Sequence, residues 1–168
     1  MTHAPTPDTP PHQLKTPYAQ MGWMLDRFVE RVPRVTHAVL LSKDGLILLS
    51  NSDTDKDLGD TLAGAFCGFA SLAEAIPGPG EEHLAAKQIM VERPDILFFI
   101  MVAGRGYCSA FSPRPETQQG MVDTVLGVLA DPSADARVVG HEMDQLIKQF
   151  AHYMQTPVRA SSAYDSIP

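Results

Sequence analysis

Few side chains are able to do covalent or acid–base chemistry, and they are scattered. The two thiols, Cys67 and Cys108, lie 41 positions apart. A structural zinc site draws on about four Cys or His ligands in close pairs, and no such pairing occurs. Cys67 falls midway along a helical pattern, away from the helix N-terminus that would lower a thiol pKa, and reads as structural. Cys108 sits in an extended run with no His or Asp beside it and reads the same way. The histidines are His3, His12, His37, His83, His141 and His152. His141-Glu142 opens like the HExxH zinc motif, but Gln145 stands where the second histidine belongs. His141 and His152 are roughly 16 Å apart along one helix, too far to share a metal within one chain. Glu142 and Asp144 read as part of a solvated helix face.

Nucleotide chemistry has no foothold either. There is no Walker motif and no GxSxG elbow, and Gly78-x-Gly80 lacks a third glycine and follows a helix, so it is punctuation. With 13 Lys and Arg against 20 Asp and Glu, the net charge is −7. That balance repels nucleic acid unless basic groups are concentrated locally, and they are not. No apolar run approaches the roughly 18–20 residues of a membrane span. Met1–Pro17 lacks the basic start and apolar run of a signal peptide, so the expected location is the cytoplasm. A binding module is therefore expected, with no catalytic residue, cofactor or metal.

The elements follow from hydrophobic period. The chain has 168 residues, 44% of them hydrophobic, enough for one domain with a real core. Residues 1–17 carry Pro5, Pro7, Pro10, Pro11 and Pro17 with Leu14 as the one large aliphatic after Met1, and read as a proline-rich tail. A proline-rich ligand segment is the other reading of this stretch. Residues 155–168 read as a second tail, leaving 18–154 as the domain. Met21, Met24, Leu25, Phe28, Val29 and Val32 make one face of a helix that Pro33 ends. Two aliphatic runs, His37–Ser42 and Leu46–Asn51, flank Lys43-Asp44-Gly45, a hairpin signal. Leu58–Ile76 is helical, its apolar stripe including Leu62, Phe66, Phe69, Leu72 and Ile76. Gly59, Gly64 and Gly68 inside it cost about 1 kcal/mol each relative to alanine, which implies a close neighbour. That neighbour is either the sheet beneath or a second copy of the helix. After Pro77-Gly78-Pro79-Gly80 come strands at Lys87–Glu92 and Ile96–Ala103, then a turn at Gly104-Arg105-Gly106. Tyr107–Phe111 and Thr124–Ala130 are two further candidate strands around a loop. A last helix carries Val139, Met143, Leu146, Ile147, Phe150 and Met154, with Asp131, Ser133 and Asp135 as start signals. Short connections make the sheet antiparallel.

Several segments in this order resemble the Roadblock/dynein-light-chain family, in particular bacterial, actinobacterial members that accompany Ras-like small GTPases. They are Trp23–Val29 (WMLDRFV), Val32–Ser42 (VPRVTHAVLLS), Asp44-Gly45-Leu46, and Leu62–Ala73 with its GFASLA. Val128–Ala130 with DPSAD and Gly140–Met143 (GHEM) complete the set. The likeness runs from about Gln20 to Met154. It implies an α+β fold in the order helix-strand-strand-helix-strand-strand-strand-helix. A five-stranded antiparallel sheet would carry the second helix on one face and the first and last helices on the other. It implies a homodimer in which the second helices pair and the sheet continues through the third strand. Gly64, Gly68, Ser71, Gln88, Met90 and Glu92 would then lie in the interface. It also implies a non-enzymatic regulator or scaffold for a Ras-like small GTPase, and that function in turn predicts that Asp57, Asp60 and Thr61, near the start of the second helix, are exposed and contribute to a partner surface. A sensor-kinase-like protein is a further expected partner, and any membrane association would be peripheral and carried by partners. Tyr107–Asp123 exceeds the family's short hairpin and reads as an insertion; Thr124–Ala130 is favoured as the fifth strand.

Two other functions are weighed against this one. A small-molecule sensor would enclose a pocket between sheet and helices, lined by Phe66, Phe69, Phe98 and Phe99. An enzyme would gather His141, Glu142 and a thiol in one cleft.

Overall fold

The computed structural model describes residues 16–113 and 119–155. Residues 1–15 and 156–168, which hold most of the two expected tails, and 114–118 of the expected insertion lie outside the described residues.

Helix α1 (Pro17–Arg31) starts where Thr16 takes the cap position and its hydroxyl accepts from the Ala19 N–H at 3.2 Å. Pro17, assigned to the tail in the sequence reading, is the first helical residue instead. A proline there gives up no helical hydrogen bond, because the first N–H groups have no partner in any helix. Strands β1 (Val35–Ser42) and β2 (Ile47–Ser50) form the expected hairpin, with Gly45 at φ 93° in its turn. Asn51 closes it: its side-chain oxygen accepts from the Ala38 N–H at 2.9 Å and from the Thr54 hydroxyl at 2.7 Å.

Helix α2 (Lys56–Ala75) follows, capped by Asp55. Then come β3 (Gln88–Glu92), β4 (Leu97–Tyr107), a 3-10 turn (Cys108–Phe111), β5 (Met121–Ala130) and α3 (Ala136–Met154). The sheet order is β2-β1-β5-β4-β3 with every pair antiparallel, so β2 and β3 are its two edges. Side chains alternate across it. Ala38, Leu40, Phe99, Met101, Leu126 and Val128 meet α1 and α3, while Val39, Leu41, Phe98, Ile100, Val125 and Leu129 meet α2. The fold class is the expected one, and Thr124–Ala130 lies in the fifth strand.

Two expectations are overturned, and one apolar stripe proves only partly buried. Gly104-Arg105-Gly106 is no turn; β4 runs through it, paired with Val122–Thr124 of β5, and Gly104 (φ 89°) sits where the register shifts. The glycine absorbs a bulge that carries the hairpin onward. Tyr107–Phe111 is no strand either. Tyr107 ends β4, and the 3-10 turn folds Ala110 and Phe111 into the core shared by α1 and α3. Nor does α2 bury the whole stripe read from Leu58 to Ile76. Leu62 and Phe66 are buried, but Phe69, Leu72 and Ile76 are exposed at 37%, 68% and 71%.

Candidate interaction surface

Helix α2 has two distinct faces. On the inner one, Gly59, Leu62, Ala63, Phe66 and Cys67 are buried. A β-carbon on Gly59 would run into Ile47 of β2, so this glycine is explained by the sheet. The Cys67 thiol donates to the Ser42 carbonyl at 3.2 Å, and burial pushes its pKa up. The Lys43 ammonium meets the Glu74 carboxylate at 2.6 Å, which ties the β1–β2 turn to the end of α2 and raises the lysine pKa.

The outer face explains the other glycines differently. Asp57, Thr61, Gly64, Gly68 and Ser71 recur every three or four residues, and all are exposed. They form one stripe about 21 Å long. A β-carbon on Gly64 or Gly68 would touch nothing within 4 Å. The stripe is polar at its start. Asp60 pairs with Lys56 at 2.7 Å, and the Thr61 hydroxyl donates to the Asp57 carbonyl at 2.9 Å. Asp57 lies in the first turn, where the helix dipole favours negative charge. Beside the small-residue stretch lie Phe69, Leu72 and Ile76. The Phe69 ring packs on Phe98 of β4 at 5.5 Å between centroids, and Phe98 is the cross-strand partner of Val91 on β3.

Of the β3 residues expected at an interface, Gln88, Met90 and Glu92 are exposed, with Met90 at 49%. Their side chains do not face α2. Gln88 reaches toward Gly140 of α3, while Ile89 and Val91 pack on the α2 side. The residues expected at the interface thus lie on the outward side of the strand, and Ile89 and Val91, which alternate with polar neighbours in the sequence, form its half-buried side. The signal for Phe69, Leu72 and Ile76 was present in the sequence: the apolar stripe of α2 is wider than one sheet face can cover.

The alternatives fare differently from the geometry they required. Phe66 and Phe98 pack together at 5.6 Å, but Phe99 points to the opposite face of the sheet, so the four phenylalanines cannot line one pocket. Glu142 is held by Arg31 at 2.6 Å on the α1–α3 side, whereas Cys67 lies on the α2 side. Lys148 beside Asp144 holds that carboxyl below the ordinary range, at 2.6 Å. Among the described residues, no three His, Cys, Asp or Glu side chains converge as a metal site would need. No helix among them is long and apolar enough to cross a membrane.

A five-stranded antiparallel sheet with one helix on one face and two on the other is the architecture of the Roadblock class. The chain belongs to the Roadblock/LC7 domain family, whose model matches residues 21–108. The crystal structure of a Roadblock/LC7 domain from Streptomyces avermitilis is 32% identical, with a TM-score of 0.63, covering 79% of this chain and 95% of that one. A second such domain from the same organism is 27% identical, with a TM-score of 0.56, covering 77% and 97%. The gliding protein MglB of Thermus thermophilus shares the fold at 15% identity and a TM-score of 0.64, covering 84% and 93%. No curated protein sequence matches the chain.

Proposed function

We propose that the chain is a non-catalytic homodimeric platform that binds a Ras-like small GTPase in a bacterial signalling complex. The observation that carries this reading is the pair Gly64 and Gly68, exposed on α2, where an added β-carbon would meet no described neighbour within 4 Å. Each costs about 1 kcal/mol in a helix interior, and no neighbour among the described residues requires the missing side chain. The cost is accounted for when the α2 of a second copy crosses there, since helices packed through small residues approach at the short end of the usual 8–10 Å. Phe69, Leu72 and Ile76 are then covered rather than left in water. The free edge of β3 supports the same arrangement, because pairing with its copy satisfies backbone groups that an edge leaves open. Gly64, Gly68 and Ser71 meet across the twofold axis, and Gln88, Met90 and Glu92 flank the strand seam.

In this dimer the two starts of α2 stay accessible, and Asp57, Asp60 and Thr61 form the GTPase-facing surface. The protein works in the cytoplasm and reaches a membrane only through partners, a sensor-kinase-like protein among them. The test is co-elution of the purified chain with the small GTPases of its own cell, loaded with GDP or a GTP analogue, alongside nucleotide exchange and hydrolysis rates. The expected result is a complex containing two copies of this chain, lost on Asp57→Lys while the dimer persists. Absence of binding and of any rate change with every such GTPase contradicts the partner assignment.

A further inference from the structure

A second surface lies on the other side of the sheet, at its β2 end. Tyr18, Gly22 and Trp23 of α1 face Ile47 and Leu48 of β2 across a groove of about 370 Å³. Asp26 closes one end, its two carboxylate oxygens accepting from the Ser52 N–H at 2.6 Å and the Ser52 hydroxyl at 2.8 Å. The Arg27 guanidinium stands 5.8 Å from the centre of the Trp23 ring. Both aromatic residues are half-buried.

Gly22 is the odd residue here. It sits inside α1 without a positive φ, and a β-carbon on it would touch nothing within 4 Å. It weakens the helix by about 1 kcal/mol relative to alanine, and no described neighbour requires its side chain to be missing. At the base of an aromatic groove, a missing side chain leaves room for another backbone to lie close.

We propose that the groove is the docking site of the chain's own residues 1–15. Aromatic-lined grooves recognise extended proline segments, whose polyproline II shape is largely formed before binding. Pro7-Asp8-Thr9-Pro10 has the P-x-x-P spacing such grooves read. Three residues per turn put Pro7 and Pro10 on one face about 9 Å apart. Tyr18 and Trp23 are separated by about 7.5 Å of helical rise, a matching scale. Thr16 is fixed as the cap of α1 at the mouth of the groove. From there, Pro11–Lys15 spans up to about 18 Å, enough to reverse and lie along the roughly 12 Å between Tyr18 and Asp26. Docking within one chain is favoured over exchange between copies. The groove lies at the β2 edge, four strand spacings or roughly 19 Å from the β3 edge. A short tether also holds the segment at about millimolar effective concentration.

Trp23 is the one tryptophan of the chain and its ring lines this groove as well as the neighbouring depressions toward α3, so the proline and Gly22 variants together are what assign a change in its fluorescence to the groove. The test compares acrylamide quenching of Trp23 in the full chain, in Pro7→Gly/Pro10→Gly, in Gly22→Leu, and in the combination. Far-ultraviolet circular dichroism serves to confirm that each is folded. Both changes should raise the quenching constant about twofold, the combination should add little, and wild-type quenching should not change on hundredfold dilution, as expected for one coupled intramolecular contact. Equal quenching in wild type and the proline variant, or additive effects of the two changes, overturns the proposal. Quenching that rises on dilution overturns docking within one chain.

Discussion

Gly127, in the middle of β5, lies directly beneath the phenyl ring of Phe66 on α2, so close that a β-carbon at 127 would overlap the ring. The central strand thus gives up a side chain to let the helix sit low on the sheet. Gly127→Ala should cost about 1–3 kcal/mol, the usual price of forcing extra volume into a packed core. Urea denaturation checks it, and a neutral result would mean that α2 is seated less closely.

The outer glycines should behave in the opposite way. With open space around Gly68, Gly68→Gln adds helix propensity and no clash within its own chain. The expected outcome is weakened self-association with an intact monomer fold. Sedimentation velocity over a dilution series, read beside circular dichroism, distinguishes this from unfolding. Gly59→Gln serves as the contrast: it would clash with Ile47 and should destabilise the monomer itself.

The Cys67 thiol is held neutral by burial, which outweighs the help of the Gly45 N–H, while Asp44 adds to the upward shift. The folded-state pKa lies above the ordinary value of 9.0, so this group's contribution to stability is fully present below pH 9.0. It is lost as pH climbs through the raised value, because the unfolded thiol ionises first. Wild type should therefore lose more stability than Cys67→Ala as pH rises above 9.0. Thermal melts of both proteins across that window measure the difference. In the native protein, a thiol reagent at neutral pH should modify the half-buried Cys108 and spare Cys67.

Phe111 anchors the turn that follows β4. Its ring lies 2.8 Å from where a β-carbon on Gly106 would be, and its side chain joins the core between α1 and α3. Phe111→Ala should cost about 3–5 kcal/mol if the site cannot collapse. Hydrogen exchange should then localise the loosening to Gly104–Phe111 and Met121–Val122, leaving α2 protected.

The sequence was most legible where period and punctuation agreed. The stripe from Met21 to Val32 and the Asp44-Gly45 turn each had one competing interpretation at most, and each stands in the fold. It was least legible between Gly104 and Met121. Two glycines flanking Arg105 carry the local signature of a turn, yet ten cross-strand partners between β4 and β5 override it. The folding back of Phe111 depends on an opening between α1 and α3 that no local pattern announces. On α2, spacing correctly put Leu62 and Phe66 on an apolar stripe, but it could not tell which edge of an overly wide stripe faces the sheet. On β3 the alternation of Ile89 and Val91 with polar neighbours was enough to mark the half-buried side, while the pairing of Val91 with Phe98 was not legible, because it depends on a strand register that no local pattern carries.

The central claim is that this chain works as a twofold platform joined through α2 and β3. Light scattering coupled to size-exclusion chromatography, at micromolar concentration, tests it most directly. The account predicts twice the 18.3 kDa of one chain, falling toward a single chain on Gly68→Gln. A wild-type mass of 18.3 kDa under those conditions would contradict it.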